Sequence, residues 1–449
     1  MNKTDMKYKA YIQILEEELK PAMGCTEPIS LAYAAAVAAK YMDGLPDKVL
    51  VEASGSIIKN VKSVIVPNTN HMKGIPVAAA VGIIAGNPDK ELEVLADVTP
   101  EQIAKMQEFL QHTEITTKHI ELGCTFDIII TLYKGEHYVK VRIANDHTNV
   151  VLIEKDGEKL KYIPVNGETN EGLTDRTLLN LADIYDFANT VDVEDLKHVL
   201  DPQIKCNMAI AEEGLRNNYG ANIGSVLLKM AGENPDVRTR ARAMAAAGSD
   251  ARMNGCEMPV VICSGSGNQG MTTSIPVIVY AQELKVSEEK LYRALALANL
   301  VTIHEKTPIG VLSAFCGAVS AGAGAGAGIA YLHGATLEEI SHTITNAVGV
   351  TSGMICDGAK ASCAGKIANS VEAGIIGYNM CKTGNNYQPG DGIVGKDVEE
   401  TLANVGTLAK KGMEKTNEVI IDIMIKERDR KSTRLNSSHQ TRSLMPSSA

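Results

Sequence analysis

Apolar residues recur with two different periods along this chain, and the change of period divides it. Residues 8–19 carry helical spacing that stops at Pro21. Residues 29–41 are Ala-rich and helical, with Pro28 suited to the first turn. Residues 48–53 and 63–66 read as short strands, and 100–111 as a helix. Three segments, 126–132, 137–144 and 149–153, are rich in Ile, Val and Tyr. Lys134-Gly135-Glu136 and Asp156-Gly157 supply turns, which predicts an antiparallel meander. From about Thr177 the strand signal fades and helical spacing dominates, over 178–188, 193–217, 238–253, 288–300, 337–347, 366–378 and 398–411. One strand-like stretch, Val260-Val261-Ile262-Cys263, interrupts it.

This pattern predicts an α+β chain. A mixed α/β N-terminal domain with an antiparallel sheet, residues 1–195, packs on a mostly α-helical C-terminal domain, residues 196–428. With no clear linker and no internal repeat, the two halves are expected to pack tightly. Residues 429–449 belong to neither. The stretch opening Asp429-Arg430-Lys431-Ser432-Thr433-Arg434 looks like a translated sequencing adapter and is expected to be an artefactual disordered tail.

Composition narrows the picture. Hydrophobic residues make up 45% and charged residues 22% of 449, as in soluble globular proteins. With no Trp, four Phe and 39 Gly, the core must rely on closely approaching backbones. A net charge of −10 argues against nucleic acid as a partner. Nine cysteines without a secretory signal ahead of them point to a reducing cytoplasm. Residues 309–332 run for 24 positions without a charge, long enough to span a membrane. Their middle is Ala and Gly and no basic cluster flanks them, so a buried helix or helix pair is expected instead. The expected partners are a small substrate and, since Ala/Gly-rich helical bodies often self-associate, further copies of the chain.

Four groups of residues could carry chemistry. Cys25 follows Gly24 at the mouth of a helix, where amide groups and the macrodipole favour a thiolate, and Glu27 could exchange a proton with it. A small turn residue explains Cys25 equally well. Ser264-Gly265-Ser266-Gly267-Asn268-Gln269-Gly270 has no Lys before Lys285, which argues against a nucleotide loop. Its amides, with Asn268 and Gln269, could grip a small carboxylate, or it could be a packing turn. Arg252 offers a planar fork to a carboxylate, or closes a helix-end salt bridge. Cys316, Cys356 and Cys363 are one thiolate short of the usual set for a [4Fe–4S] cluster. Their spacing fits neither a zinc knuckle nor a ferredoxin run, and free cysteines are common in cores, so both readings stay open. His71 and His147 read as structural, and His304-Glu305 as either a proton relay or exposed charge.

Four motifs in order carry a family resemblance: Pro21-Ala22-Met23-Gly24-Cys25-Thr26-Glu27-Pro28, Ser249-Asp250-Ala251-Arg252-Met253, the Gly-rich segment 264–270, and Ser352-Gly353-Met354-Ile355-Cys356-Asp357-Gly358-Ala359. Over residues 8–425 the chain resembles the L-cysteine desulfidases, a group related to the catalytic alpha part of iron–sulfur L-serine dehydratases. The resemblance implies that Cys316, Cys356 and Cys363 ligate a [4Fe–4S] cluster with one iron free of protein ligands, and that Cys25 is a catalytic thiolate. It implies α,β-elimination of L-cysteine to pyruvate, ammonia and sulfide without pyridoxal phosphate. The Cys356–Cys363 gap is shorter than in the serine dehydratases, which favours cysteine. L-serine dehydration and a non-catalytic iron–sulfur sensor are the alternatives.

Overall fold

The computed structural model describes residues 1–424, apart from 166, 168–172 and 311. The described residues form eight strands: β1 (Pro21–Met23), β2 (Lys48–Ala53), β3 (Glu114–His119), β4 (Asp127–Lys134), β5 (His137–Ala144), β6 (Val150–Lys155), β7 (Glu158–Tyr162) and β8 (Pro259–Val261). Six of them form one sheet in the order β3-β2-β4-β5-β6-β7. The meander β4-β5-β6 is antiparallel as expected, and β7, which was not expected, extends it antiparallel to β6. The sheet as a whole is mixed, because β3 joins β2 in parallel.

Period-2 alternation decides which face is buried. Val49, Val51 and Ala53 lie opposite Leu132, Ile130 and Ile128, which in turn face Val139, Val141 and Ile143. All nine are fully buried, and the helix Thr26–Tyr41 covers β4 and β5. The expected strand at 63–66 is only an isolated bridge between Ile65 and Lys73. It follows a short helix, Gly55–Val61, whose Ser54 cap outweighs the β-branched residues inside it. The parallel edge strand β3 and the helices Ile75–Ala85, Ile223–Ala231 and Gly267–Leu284 were not expected from the sequence.

Beyond Thr190 the chain is almost wholly helical. At its centre lies Ala318–Leu332, all fifteen residues of which are buried. Among the described residues no helix is long and apolar enough to cross a membrane. The uncharged run therefore becomes one buried helix, preceded at 312–317 by irregular chain. Its neighbours are the helices Gly267–Leu284, Glu288–Lys306, Leu337–Thr351 and Cys363–Lys382. The tail at 429–449 lies outside the described residues.

The two sequence halves are tied by a small antiparallel ribbon in which β1 pairs with β8, Pro21 opposite Val261 and Met23 opposite Pro259. The Ile262 amide extends it by donating to the Lys20 carbonyl at 2.9 Å. Just past this ribbon, one strand continues into Gly24-Cys25 and the other into Cys263–Ser266.

Candidate active site

Cys25 caps the helix Thr26–Tyr41, but its thiol does not bond the helix amides. It donates instead to Glu27 Oε2 at 3.1 Å. Both residues are buried, and the balance of effects on each differs. Burial, together with the nearby Glu27 charge, pushes the Cys25 thiol well above its ordinary range, and Arg252 only partly offsets this. The expected lowering by the helix terminus is therefore overturned: Cys25 stands as a neutral thiol. Burial would raise Glu27 too, but nearby His147, the Cys25 hydrogen bond and Arg252 together hold it below the usual carboxyl range. Asn60 donates to Glu27 Oε1 at 2.8 Å, and the Thr26 hydroxyl lies 3.1 Å from Oε2 and 3.0 Å from the Gly265 carbonyl oxygen.

The Gly-rich segment is a loop only in part. Cys263 and Ser266 form an isolated bridge around Ser264 and Gly265, both at positive φ. Helix Gly267–Leu284 then starts at Gly267, so Gly267, Asn268 and Gln269 form its first turn, and no side chain caps it. First-turn amides have no intrahelical acceptor, so this terminus can receive an anion. Gly267 also allows a close approach. A Cβ there would lie 2.5 Å from Arg252 Nε, so only glycine lets the guanidinium lie flat on the turn. Arg252 is buried, and among the described residues its Nε and Nη2 have no hydrogen-bond partner, so the helix-end salt bridge is not made. Gln269 Oε1, Asn268 Oδ1 and His147 Nε2 are likewise buried without partners. Each such orphan costs on the order of 1–3 kcal/mol unless something fills it. Their convergence marks a place where a polar ligand completes the set.

The three cysteines arrive from two chain segments. A bridge between Phe315 and Ile355 joins those segments, with the Cys316 amide donating to Met354 O at 3.0 Å and the Cys356 amide to Ala314 O at 2.6 Å. Cys363 begins the helix Cys363–Lys382 and packs, with Ala359, against Cys25, Val64 and Met253. One cavity of about 100 Å³ is lined by Cys25, Glu27, Arg252, Ser264, Gly265, Ser266, Asn268, Gln269, Cys316, Cys356 and Cys363. Of the sequence-predicted site residues, only Gly267 is not part of that lining, and it acts from behind Arg252.

Whether these thiols suit a cluster can be judged from their chemistry. Among the described residues no three His, Cys, Asp or Glu side chains are gathered as a site for a metal ion. A single-ion centre needs donors within about 2.3 Å of one point, whereas a cluster takes each thiolate on a different iron. Three separate thiols facing one cavity fit the second kind of donor set. Burial pushes Cys316 up to about 12, with Cys356 adding to it, and burial raises Cys363, so loading would have to displace protons.

Cationic groups surround them. Lys59, buried, donates to Asn417 Oδ1 at 2.8 Å and to Cys356 O at 3.1 Å. Lys306, which burial brings down to about 8 against the pull of Cys356 and Cys316, binds Gly310 O. Lys366 binds Asp357 and, at 2.8 Å, Ile355 O. Such a ring favours an anionic occupant.

Sequence reasoning missed Lys59, Asn60 and Lys306. The available signal was a Lys-Asn pair set between Ile57-Ile58 and Val61. His304 is no relay with Glu305; it pairs with Glu399 at 2.7 Å, while Glu305 is buried elsewhere. His71 is exposed.

An α+β chain thus brings thiols, a carboxylate–thiol pair and a guanidinium with two unpartnered nitrogens, among the described residues, to the lining of one cavity. The chain belongs to the serine dehydratase alpha-chain family, whose model matches residues 89–422. It is similar over nearly its whole length to proteins named UPF0597. The one from Desulfitobacterium hafniense is 55% identical, covering 95% of this chain and 99% of that protein. Those of Lachnoclostridium phytofermentans and Treponema denticola are 49% and 47% identical, over 93% and 94% of this chain and 100% and 99% of theirs. Cys25 and Glu27 fall outside the matched family region.

Proposed function

We propose that this chain is a lyase that eliminates the β-substituent of a small L-amino acid, with L-cysteine as substrate and pyruvate, ammonia and sulfide as products. Membership of the serine dehydratase alpha-chain family supports the lyase class. The observation that carries the reading is the set of unpartnered polar atoms on Arg252, Asn268 and Gln269, which share one cavity with three thiols.

In this reading Arg252 and the first-turn amides hold the substrate carboxylate, because a planar fork over a helix N-terminus matches two carboxylate oxygens. Cys25 takes the Cα proton as it passes its own proton to the hydrogen-bonded Glu27 carboxylate, so no free thiolate precedes the step. The burial that keeps Cys25 neutral beforehand protects it from adventitious reaction. Cys316, Cys356 and Cys363 would hold a [4Fe–4S] cluster, which when bound would supply Lewis-acid stabilisation to the departing sulfur in place of pyridoxal phosphate. Cys316, Cys356 and Cys363 form no disulfide, which suits such a cluster in a reducing cytoplasm.

L-serine is the second reading, favoured by the description of the matched family. Turnover of both amino acids by the anaerobically reconstituted protein separates them. Equal amounts of sulfide and pyruvate from L-cysteine, at a kcat/KM at least ~10-fold above that for L-serine, are expected. The reverse preference would assign the chain to serine, and no pyruvate from either would refute the lyase reading.

A further inference from the structure

We infer that His147 is the proton relay of this site, carrying the proton that Glu27 receives out to a second, larger cavity. The inference rests on the lyase reading above, and begins from a wall shared by two cavities. Beside the thiol cavity lies another of about 800 Å³, and His147, Ser264, Gly265 and Lys306 line both. Of these four, only His147 is an imidazole, the side chain suited to accepting and releasing a proton at neutral pH.

Its placement is tightly determined. The ring stands edge-on to Phe126 with centroids 4.7 Å apart. A Cβ on Gly265 would come within 2.8 Å of its Cε1, so that residue must be glycine for the ring to sit there. The Ser30 hydroxyl donates to the His147 carbonyl and anchors the backbone. Nothing in this packing uses Nε2, which is buried without a partner among the described residues. A histidine held so firmly, with one nitrogen left over, has a role that packing does not supply.

Glu27 provides that role. After it takes the Cys25 proton its carboxyl must be cleared before the next turnover. Its other neighbours, the Asn60 amide and the Thr26 hydroxyl, cannot accept a net proton. Both residues line the thiol cavity and among the described residues no hydrogen bond joins them, so the inferred transfer uses a bridging water, as general acid–base catalysis allows. In the step, the Glu27 O–H bond breaks and an N–H bond forms at His147 Nε2, leaving carboxylate and imidazolium. The imidazolium then gives its proton to solvent in the larger cavity.

The test is turnover of L-cysteine and L-serine by reconstituted wild type, His147→Ala and His147→Gln, with and without added imidazole. Both variants should lose about 10²-fold in kcat with KM changed less than ~3-fold, and imidazole should restore about 10-fold of that in His147→Ala but not in His147→Gln, which fills the space. The visible absorption of all three should match. A wild-type kcat in either variant, or a loss in His147→Ala that imidazole leaves untouched, would overturn the relay while leaving the lyase reading standing. A wild type inert toward both amino acids would overturn that reading and the relay with it.

Discussion

At the scale of single residues, neighbours in sequence lead separate lives. Glu305 and Lys306 are consecutive, both buried and oppositely charged by habit, yet they do not face each other, as expected for i and i+1 on a helix. Lys306 turns to the site. Glu305 turns into the core, both its carboxyl oxygens unpartnered among the described residues, and burial pushes it up to about 8 against a lowering from Ser320. Its sign follows from linkage. Between the ordinary 4.5 and about 8 the folded chain binds a proton that the unfolded chain has released, so stability falls as pH rises through that window. The full effect is on the order of 5 kcal/mol. Glu305→Gln should therefore show a Tm that gains on wild type as pH rises from about 5 to about 9. A constant difference across that range would mean that Glu305 finds a partner in solution. The same competition between burial and local charge made Cys25 hard to read. Its helix-mouth position is plain in the sequence, but its surroundings are set by Glu27, Arg252 and Cys363, and only the last two come from afar.

Among elements, the (Ala-Gly) repeat of the helix Ala318–Leu332 shows how composition becomes architecture. Alternate glycines address different partners. A Cβ on Gly326 would meet the Gly374 backbone at 2.7 Å, and one on Gly324 would meet Ala298 O at 2.6 Å. The helix can thus sit between Cys363–Lys382 on one side and Glu288–Lys306 on the other with backbones nearly touching. That contact also fixes chemistry, since Cys316 leads into the first helix and Cys363 opens the second. Gly326→Ala should lower stability by about 1–3 kcal/mol and disturb the spacing of the two thiols, read as a lower denaturation midpoint and weaker iron retention. An unchanged midpoint would show that the helices can part at no cost. Strong periodicity made most of these elements legible from the sequence, including β2 and the meander. The helix Gly267–Leu284 was not, because its Gly-rich start and internal Pro276 read as loop. Short Gly55–Val61 was masked by its β-branched residues, and long-range pairing decided β3.

For the whole molecule, the decisive event is the meeting of two distant segments. The ribbon of β1 with β8 places Cys25-Thr26-Glu27 against Ser264-Gly265-Ser266, and the bridge of Phe315 with Ile355 sets Cys316 beside Cys356. Neither pairing has a signal in local sequence, although the motifs it unites were visible one by one. Lys59 joins the two assemblies by reaching from the N-terminal half to Cys356 O and Asn417. The central claim is that three thiols of this site act as one set of iron ligands. The most direct measurement is the visible spectrum and iron content of anaerobically reconstituted wild type and Cys356→Ala. A brown protein with broad absorption in the blue and about four irons per chain, bleached and iron-poor in the variant, is the predicted result. A colourless, iron-free wild type that still eliminates sulfide from L-cysteine would contradict it.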